Sequence, residues 1–341
     1  MERLTTEIIE RILSRLPLLS IGVVGDLFLD QYLDLDPRFT EKSIETGLDA
    51  YQIVRIRNQP GAAGTILNNL AALGVGRVVA LSILGKDAHA FALKDELARR
   101  RIEASYLMEA EGRFTPTYTK PMLGGQELNR LDLKNRTPTP MELEERIIDA
   151  LPKFWSEVQA LVVLDQVSEE NCGVLTARVR DALGRLGAAE PKKLLLADSR
   201  ERIGLFRNCW LKANEDEARK RVGPATLDWE GRAQDELARK VGEWSQAQQR
   251  PIFCTRGDQG MLLAFEGQHD IPAYAVAGPI DTVGAGDSVS AGIACAYAAG
   301  ATLPEAAAFG NLIASITIRQ LGTTGTATPA QVRQRWAELS R

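Results

Sequence analysis

Short apolar runs alternate with helical stretches along this chain, and that alternation limits its folding more than any other feature. The runs are IGVVGD (21–26), VVALSIL (78–84), ALVVLD (160–165), KLLLAD (193–198) and PIFCTRG (251–257). They are β-branched or Leu-rich and continuously apolar, the pattern of strands buried on both faces. Between them the segments 62–73, 89–101, 141–150, 173–186 and 231–246 carry helical patterning, and several are rich in Ala and Leu. Strands and helices taking turns in this way build a parallel sheet covered on both sides. The fold class expected is α/β, with a doubly wound, mainly parallel sheet flanked by helices.

Two regions depart from that pattern. Residues 43–58 (SIETGLDAYQIVRIRN) and 114–133 (FTPTYTKPMLGGQELNRLDL) alternate polar and apolar residues, the second turning at Gly124–Gly125. Period-two alternation predicts antiparallel strands with one solvated face. They are expected to form a small β-sheet standing off the main body as a lid, made of segments about 31–58 and 114–133. From Gly284 to Gly322 the pattern is almost purely helical and Ala-rich.

Composition removes several classes of function. With 341 residues, 45% of them hydrophobic and 25% charged, the chain can bury a sizeable core. Its net charge of −4 argues against a nucleic-acid partner, which favours a basic surplus. No apolar stretch approaches the ~18 residues of a membrane span, and the start, MERLTTEIIERILSRL, lacks the clean apolar run of a secretory signal. Cys172, Cys209, Cys254 and Cys295 lie far apart with no CxxC, which fits a reducing cytoplasm. His89 and His269 are the only histidines, so a multi-His metal site is excluded and acid–base work falls to carboxylates.

The stretch richest in chemistry is Asp281-Thr282-Val283-Gly284-Ala285-Gly286-Asp287-Ser288, at the entry to a helix of small residues. Glycines at a helix start let the backbone approach a ligand and leave amide hydrogens aimed outward at the positive end of the dipole. Such a place holds an anion, and Asp287 sets a carboxylate beside it. Phosphoryl transfer to an alcohol uses this pair: amides to neutralise the transferred group, a carboxylate to orient the hydroxyl and take its proton. A glycine turn with a helix-start acid fits the same residues. Other nucleotide motifs are missing. No GxxxxGK[ST] exists, since Gly85-Lys86 is followed by Asp87, and Val289 occupies the third glycine position of a GxGxxG.

The whole octapeptide matches the DTxGAGD signature of the ribokinase-like (PfkB) carbohydrate kinases, and the chain resembles that family from Ile21 to about Pro329. The resemblance implies a ribokinase-like fold, one kinase domain over 1–341, and ATP with Mg²⁺ as cofactors, with a monovalent cation such as K⁺ as an option. It implies Asp287 as catalytic base, with Gly284, Ala285 and Gly286 as the anion hole. A carboxylate of ordinary pKa, about 4, would accept the proton late and until then position the hydroxyl.

Further motifs resemble the family along the chain. Gly25-Asp26-Leu27-Phe28-Leu29-Asp30 looks like its opening, which implies sugar-hydroxyl binding by Asp30 and by Asp26. Pro60-Gly61-Ala62-Ala63-Gly64-Thr65 is similar to its first signature, with Ala62 in place of the second glycine and Thr65 in place of Asn; Gly61 and Thr65 are implied to meet the sugar. Asn214-Glu215-Asp216-Glu217 resembles NxxE, which implies Asn214 at the nucleotide and Glu217 at Mg²⁺ through water; a capping box reads the same residues. Thr255-Arg256-Gly257-Asp258-Gln259-Gly260 matches TxGxxG, placing Thr255, Gly257 and Gly260, with Thr282, at the nucleotide. Asn311 either lines the adenine pocket or faces solvent.

A narrower resemblance, to the heptose 7-phosphate kinase branch (the kinase half of the ADP-heptose synthesis enzymes), rests on Gly25-Asp26…Leu29-Asp30-Gln31-Tyr32, on Arg113 to Lys120 followed by Gln126…Arg130-Leu131-Asp132, and on Leu321-Gly322-Thr323. It implies transfer of the γ-phosphate to D-glycero-D-manno-heptose 7-phosphate at C1, with Lys120, Arg130 and Asp165 at the substrate. Two exposed strand cations read Lys120 and Arg130 equally well. Around Asp165 the sequence reads DQVSEENCG, a departure from the branch's DYxKG. Another sugar kinase (ribose, fructose or a hexose phosphate), a silent sugar-binding relative and a nucleoside kinase stay open, the last wanting aromatics such as Phe28, Phe39 or Tyr51. The chain ends without a nucleotidyltransferase half, so the resemblance implies a stand-alone kinase. Lid edges pair readily between subunits, and a homodimer through the lid is expected.

Overall fold

The computed structural model describes residues 4–223 and 233–340. All five apolar runs enter one nine-stranded sheet. From edge to edge it runs Gln268–Ile271, Met261–Ala264, Ile252–Thr255, Trp210–Asn214, Leu194–Ser199, Ala160–Asp165, Ser20–Gly25, Arg77–Gly85 and Ile102–Ala110. The strands from Ile252–Thr255 to Ile102–Ala110 are parallel; at the other edge Met261–Ala264 runs against them and Gln268–Ile271 turns back again, each pairing antiparallel with its neighbour. From Ser20–Gly25 the chain first builds outward through Arg77–Gly85, then returns to add Ala160–Asp165 on the other side. That reversal leaves a crevice at the strands' carboxyl ends, where open α/β sheets bind their ligands.

Each face of the sheet carries its own apolar core. Leu67, Ala294 and Phe309 belong to one, Ile147, Leu183 and Trp244 to the other. Helices Ala285–Ala298 and Leu303–Thr317 pack closely because Gly292 meets Gly310: a Cβ on Gly292 would lie 2.8 Å from the Gly310 Cα. This close seating fixes the start of Ala285–Ala298, where the chemistry is expected. Among the described residues no helix is long and apolar enough to cross a membrane.

A second sheet orders Leu131–Leu133, Thr117–Leu123, Leu27–Leu35 and Ile53–Ala62, with Gln126–Glu127 beside Thr117–Leu123. A single residue, Asp26, joins it to the central strand of the main sheet. Period-two patterning predicts antiparallel pairing, and most of it is, but Leu27–Leu35 and Thr117–Leu123 pair in parallel. Alternation reports one solvated face, not strand direction. The sheet also begins at Leu27 and reaches Ala62, beyond 31–58. Residues 43–48 are turn rather than strand, flanked by a separate ribbon of Glu41–Lys42 and Asp49–Ala50.

Helix limits shift where caps decide them. The helix expected over 173–186 starts at Ala177 because Thr176 accepts from the Val179 amide at 3.3 Å. The one expected over 231–246 is Ala233–Gln248, residues 231–232 lying outside those described.

Candidate active site

Gly284 caps helix Ala285–Ala298 in the left-handed region, at φ 78°. The Ala285 amide donates to the Thr282 carbonyl at 3.1 Å, and Ser288 to that of Gly284 at 3.0 Å. Among the described residues the amides of Gly284, Gly286 and Asp287 have no acceptor. The amides of Gly284, Gly286 and Asp287 are therefore the ones open to an anion, while that of Ala285 closes the turn. Lys212 stands beside them: its Nζ lies 2.6 Å from where a Cβ on Gly286 would sit. The same Nζ holds Asp198 at 2.8 Å in a buried ion pair. Burial works against the lysine charge, and Asp198, Glu217 and Asp287 together more than offset it, leaving the Lys212 pKa above the ordinary value.

Asp287 faces a cleft of about 330 Å³ that Gly284, Gly286, Asp198, Lys212 and Glu217 also line. Burial and the neighbouring Asp198 push its pKa up to about 7, against the pull of Lys212 and Arg200. An ordinary pKa near 4 is thus the wrong expectation. The raised value makes Asp287 a stronger proton acceptor near neutral pH.

The second sheet supplies the opposite wall. Asp30, Thr65, Lys120 and Arg130 all line this cleft. Asp30 sits mid-sheet, opposite Gln59 on one side and Tyr118 on the other. Its carboxylate lies 3.2 Å from Lys120, whose Nζ also donates to the Tyr32 hydroxyl at 3.3 Å. Arg130 grips Asp132 through two bonds of 2.7 and 2.9 Å and lies 4.3 Å from the Tyr118 ring centre. Gly61 lies so close to Asp30 that a Cβ there would meet its Oδ2 at 2.4 Å. Ala62, where the family pattern has glycine, holds φ 52°, a conformation glycine takes freely and alanine takes at a cost of about 1–3 kcal/mol. Phe28 and Tyr118 line the cleft as an edge-to-face pair 5.1 Å apart, whereas Phe39 and Tyr51 are exposed elsewhere.

Asp26 and Asp165 take different places from those the sequence suggests. Asp26 accepts from the amides of Gln166, Val167 and Val174 at 3.0, 3.1 and 2.7 Å. Burial and Asp165 nevertheless lift its pKa to about 6. Asp165 is clasped by Arg202 at 2.7 and 3.0 Å and by the Ser199 hydroxyl at 2.7 Å. Both carboxylates hold the loop 166–174 in place, and neither lines the cleft before Asp287.

Across the Gly284–Asp287 turn lies a more apolar cleft of about 290 Å³. Thr255, Gly257, Gly260, Thr282 and Asn311 all line it, as does Gly286, which faces both clefts. Asn311 is buried, its Nδ2 donating to the carbonyls of Ile271 and Pro272 at 3.3 and 3.1 Å. Asn214 and Glu217 do form a capping box, with bonds of 2.9 and 2.7 Å. Glu217 still lines the Asp287 cleft and its pKa is raised, by burial and by Asp198; Asn214 lines neither cleft. Among the described residues no three acidic, His or Cys groups stand close enough to bind a metal directly. Asp198, Glu217 and Asp287 around one cleft fit a hydrated Mg²⁺ held through water.

Sequence motifs missed Asp198, Arg200 and Lys212. LADSRE and WLKANE contain them, but only adjacency of their two strands shows that they converge: Asp198 and Lys212 are cross-strand partners. A charged residue at the end of an apolar run was the available signal.

Known proteins can now be set beside this geometry. Residues 36–331 match the model of the pfkB family carbohydrate kinases. The bifunctional protein HldE of Trichlorobacter lovleyi is 28% identical over 96% of this chain, and that of Pelobacter propionicus 30% over 95%. This chain spans just under two thirds of those relatives, 64% of each. In fold it is similar to the Arabidopsis thaliana ribokinase complexed with ribose and ATP, with a TM-score of 0.65 and 16% identity over 93% of this chain and 98% of that one. Escherichia coli phosphofructokinase-2 gives 0.67 and 18% over 95% of this chain and all of the other. The match over residues 36–331, most of its length, establishes that the chain belongs to the pfkB family of carbohydrate kinases.

Proposed function

We propose that this chain is an ATP-dependent kinase of sugar phosphates, with D-glycero-D-manno-heptose 7-phosphate, phosphorylated at C1, as its acceptor. One observation carries the transfer chemistry: the turn Gly284–Asp287 divides two clefts and belongs to both. The apolar cleft takes the nucleotide base, with the triphosphate crossing toward the free amides. The acceptor hydroxyl meets Asp287 on the other side. Asp287 orients that hydroxyl and takes its proton as the oxygen bonds to phosphorus, so the alcohol need not ionise beforehand. Gly284 and Gly286 donate to the transferring group while Lys212 offsets its charge. Mg²⁺, when bound near Glu217, supplies further neutralisation of the phosphates. Asp30 holds sugar hydroxyls, and the second sheet acts as a lid that excludes water.

Lys120, Arg130, Arg200 and Lys212 line the acceptor cleft beside four carboxylates, and Arg200, the one of these cations with no ion-pair partner among the described residues, supports a phosphorylated acceptor over a free sugar or nucleoside. The HldE relatives support the heptose branch. An ADP-release screen with ATP and Mg²⁺ over phosphorylated and free heptoses, hexoses, pentoses and nucleosides tests this. Heptose 7-phosphate is expected well above the rest. A better rate with ribose, a fructose phosphate or a nucleoside would replace the acceptor, and silence throughout would reject the kinase reading.

Ile53–Ala62 forms an edge of the lid, with Ile53, Val54 and Ile56 half exposed. Such an edge invites a second copy, and a homodimer through it is proposed. Light scattering at micromolar concentration should give about twice 37.3 kDa, with Ile56→Lys shifting the mass toward one copy. A monomeric wild type at that concentration removes the idea.

A further inference from the structure

Between the edge of the main sheet and the Gly284 turn, the chain runs from Pro272 to Thr282 without regular structure. Ala273, Tyr274, Ala275, Val276, Ile280 and Thr282 of this strap wall the apolar cleft. Among the described residues, no amide or carbonyl from Ala273 to Ile280 bonds to other main chain. Two side chains tether the strap by carbonyls instead. Asn311 donates to those of Ile271 and Pro272 at its start, and Arg335 to that of Ala275 farther along.

Arg335 belongs to the last helix, Pro329–Leu339, and lies beyond the residues 36–331 of the family match. It is buried, and its guanidinium works in three directions. Nη2 donates to the Ala275 carbonyl, Nε to the Ser315 hydroxyl at 3.2 Å, and Nη1 to Glu338 at 3.2 Å. Ser315 stands on helix Leu303–Thr317 and lines the same apolar cleft. One planar group thus joins two walls of one cleft. Beside it Trp336 packs edge to face on Tyr274, with ring centres 6.3 Å apart.

Ala275 is exposed, so water can satisfy its carbonyl, and what the guanidinium adds is a fixed place for it. A wall that is placed beforehand spares the ligand the entropy of ordering it. We propose that Arg335 is a positioning residue for nucleotide binding, holding the strap against helix Leu303–Thr317 so that the cleft is shaped for a nucleotide base before the base arrives. The proposal rests on the reading of this cleft as the nucleotide site. Arg335 lines neither cleft itself, so its effect falls on nucleotide affinity more than on the transfer step.

Arg335→Met is expected to raise KM for ATP about tenfold, with KM for the acceptor moving less than twofold and kcat at saturating ATP falling less than threefold. A merely structural role would shrink the active fraction, lowering kcat and leaving both KM values in place. Glu338 keeps Arg319 at 3.1 Å, so the variant strands no carboxylate. Arg333→Met is the control, since Arg333 ties the same helix to Glu10 with two bonds of 2.8 Å and touches no part of the strap. Calorimetric titration with ADP and Mg²⁺ needs no acceptor. Affinity about tenfold weaker in Arg335→Met and unchanged in Arg333→Met upholds the proposal; equal affinity in Arg335→Met and wild type, or equal loss in both variants, overturns it. Should Arg335→Met not fold, Arg335→Lys decides: one ammonium cannot span both partners as the fork does, so about threefold weakening is expected and unchanged affinity overturns the proposal. A wild type that binds no nucleotide overturns the reading of the cleft and this proposal with it.

Discussion

Asp287→Asn is expected to lower kcat by about 100- to 10,000-fold while ATP binds as tightly as before or more tightly. The amide keeps the shape of the side chain and loses the lone pair that takes the proton. It also removes a negative charge facing the triphosphate, so nucleotide affinity should not fall. Calorimetry with ATP and steady-state rates measure the two quantities separately. A variant that keeps more than about a tenth of the wild-type rate would reject the base assignment. The pH profile gives a second check. Only ionised Asp287 can accept a proton, and its pKa stands at about 7. The wild-type kcat/KM should therefore climb about tenfold per pH unit toward neutrality and level off above it, instead of levelling above pH 4. Stability moves oppositely. A carboxyl whose pKa is raised on folding favours the fold while protonated and loses that contribution as pH rises through about 7. At pH 8 Asp287→Asn should thus melt no lower than wild type.

The sequence displayed the main sheet because its strands are buried on both faces, and such strands are apolar throughout. It displayed the Gly284–Asp287 turn through the whole octapeptide signature, since glycines and an acid at a helix start fit an ordinary turn as well. The lid was visible as alternation, yet strand direction was not, since one solvated face looks alike in parallel and antiparallel pairs. Charge pairing was also hidden. Asp165 and Arg202 lie 37 positions apart, Asp198 and Lys212 only 14, and nothing local announces either pair. Asp26 shows the same limit. A carboxylate directly after the first apolar strand suits a sugar, but here three amides of a loop 140 to 148 residues away claim it. Asn214 and Glu217 show why two readings can hold at once: the capping box forms, and Glu217 still faces the cleft.

Lys212→Met is expected to cost both rate and stability, and the double variant Lys212→Met/Asp198→Asn should tell the two losses apart. In the single variant Asp198 remains buried without its cation, which destabilises the fold by about 3–5 kcal/mol. The anion loop also loses the ammonium beside Gly286, lowering kcat by about 100- to 1,000-fold. Neutralising Asp198 in the double variant removes the stranded charge, so the melting temperature should recover most of its fall. The rate should not recover, because no cation faces the transferring phosphoryl group. The acid limb offers a further distinction. Lys212 lowers the Asp287 pKa and Asp198 raises it. The limb should therefore move to higher pH in the single variant and back toward its wild-type position in the double. Recovery of rate together with stability would mean that Lys212 serves only to neutralise Asp198, and its place in the anion hole would have to be withdrawn.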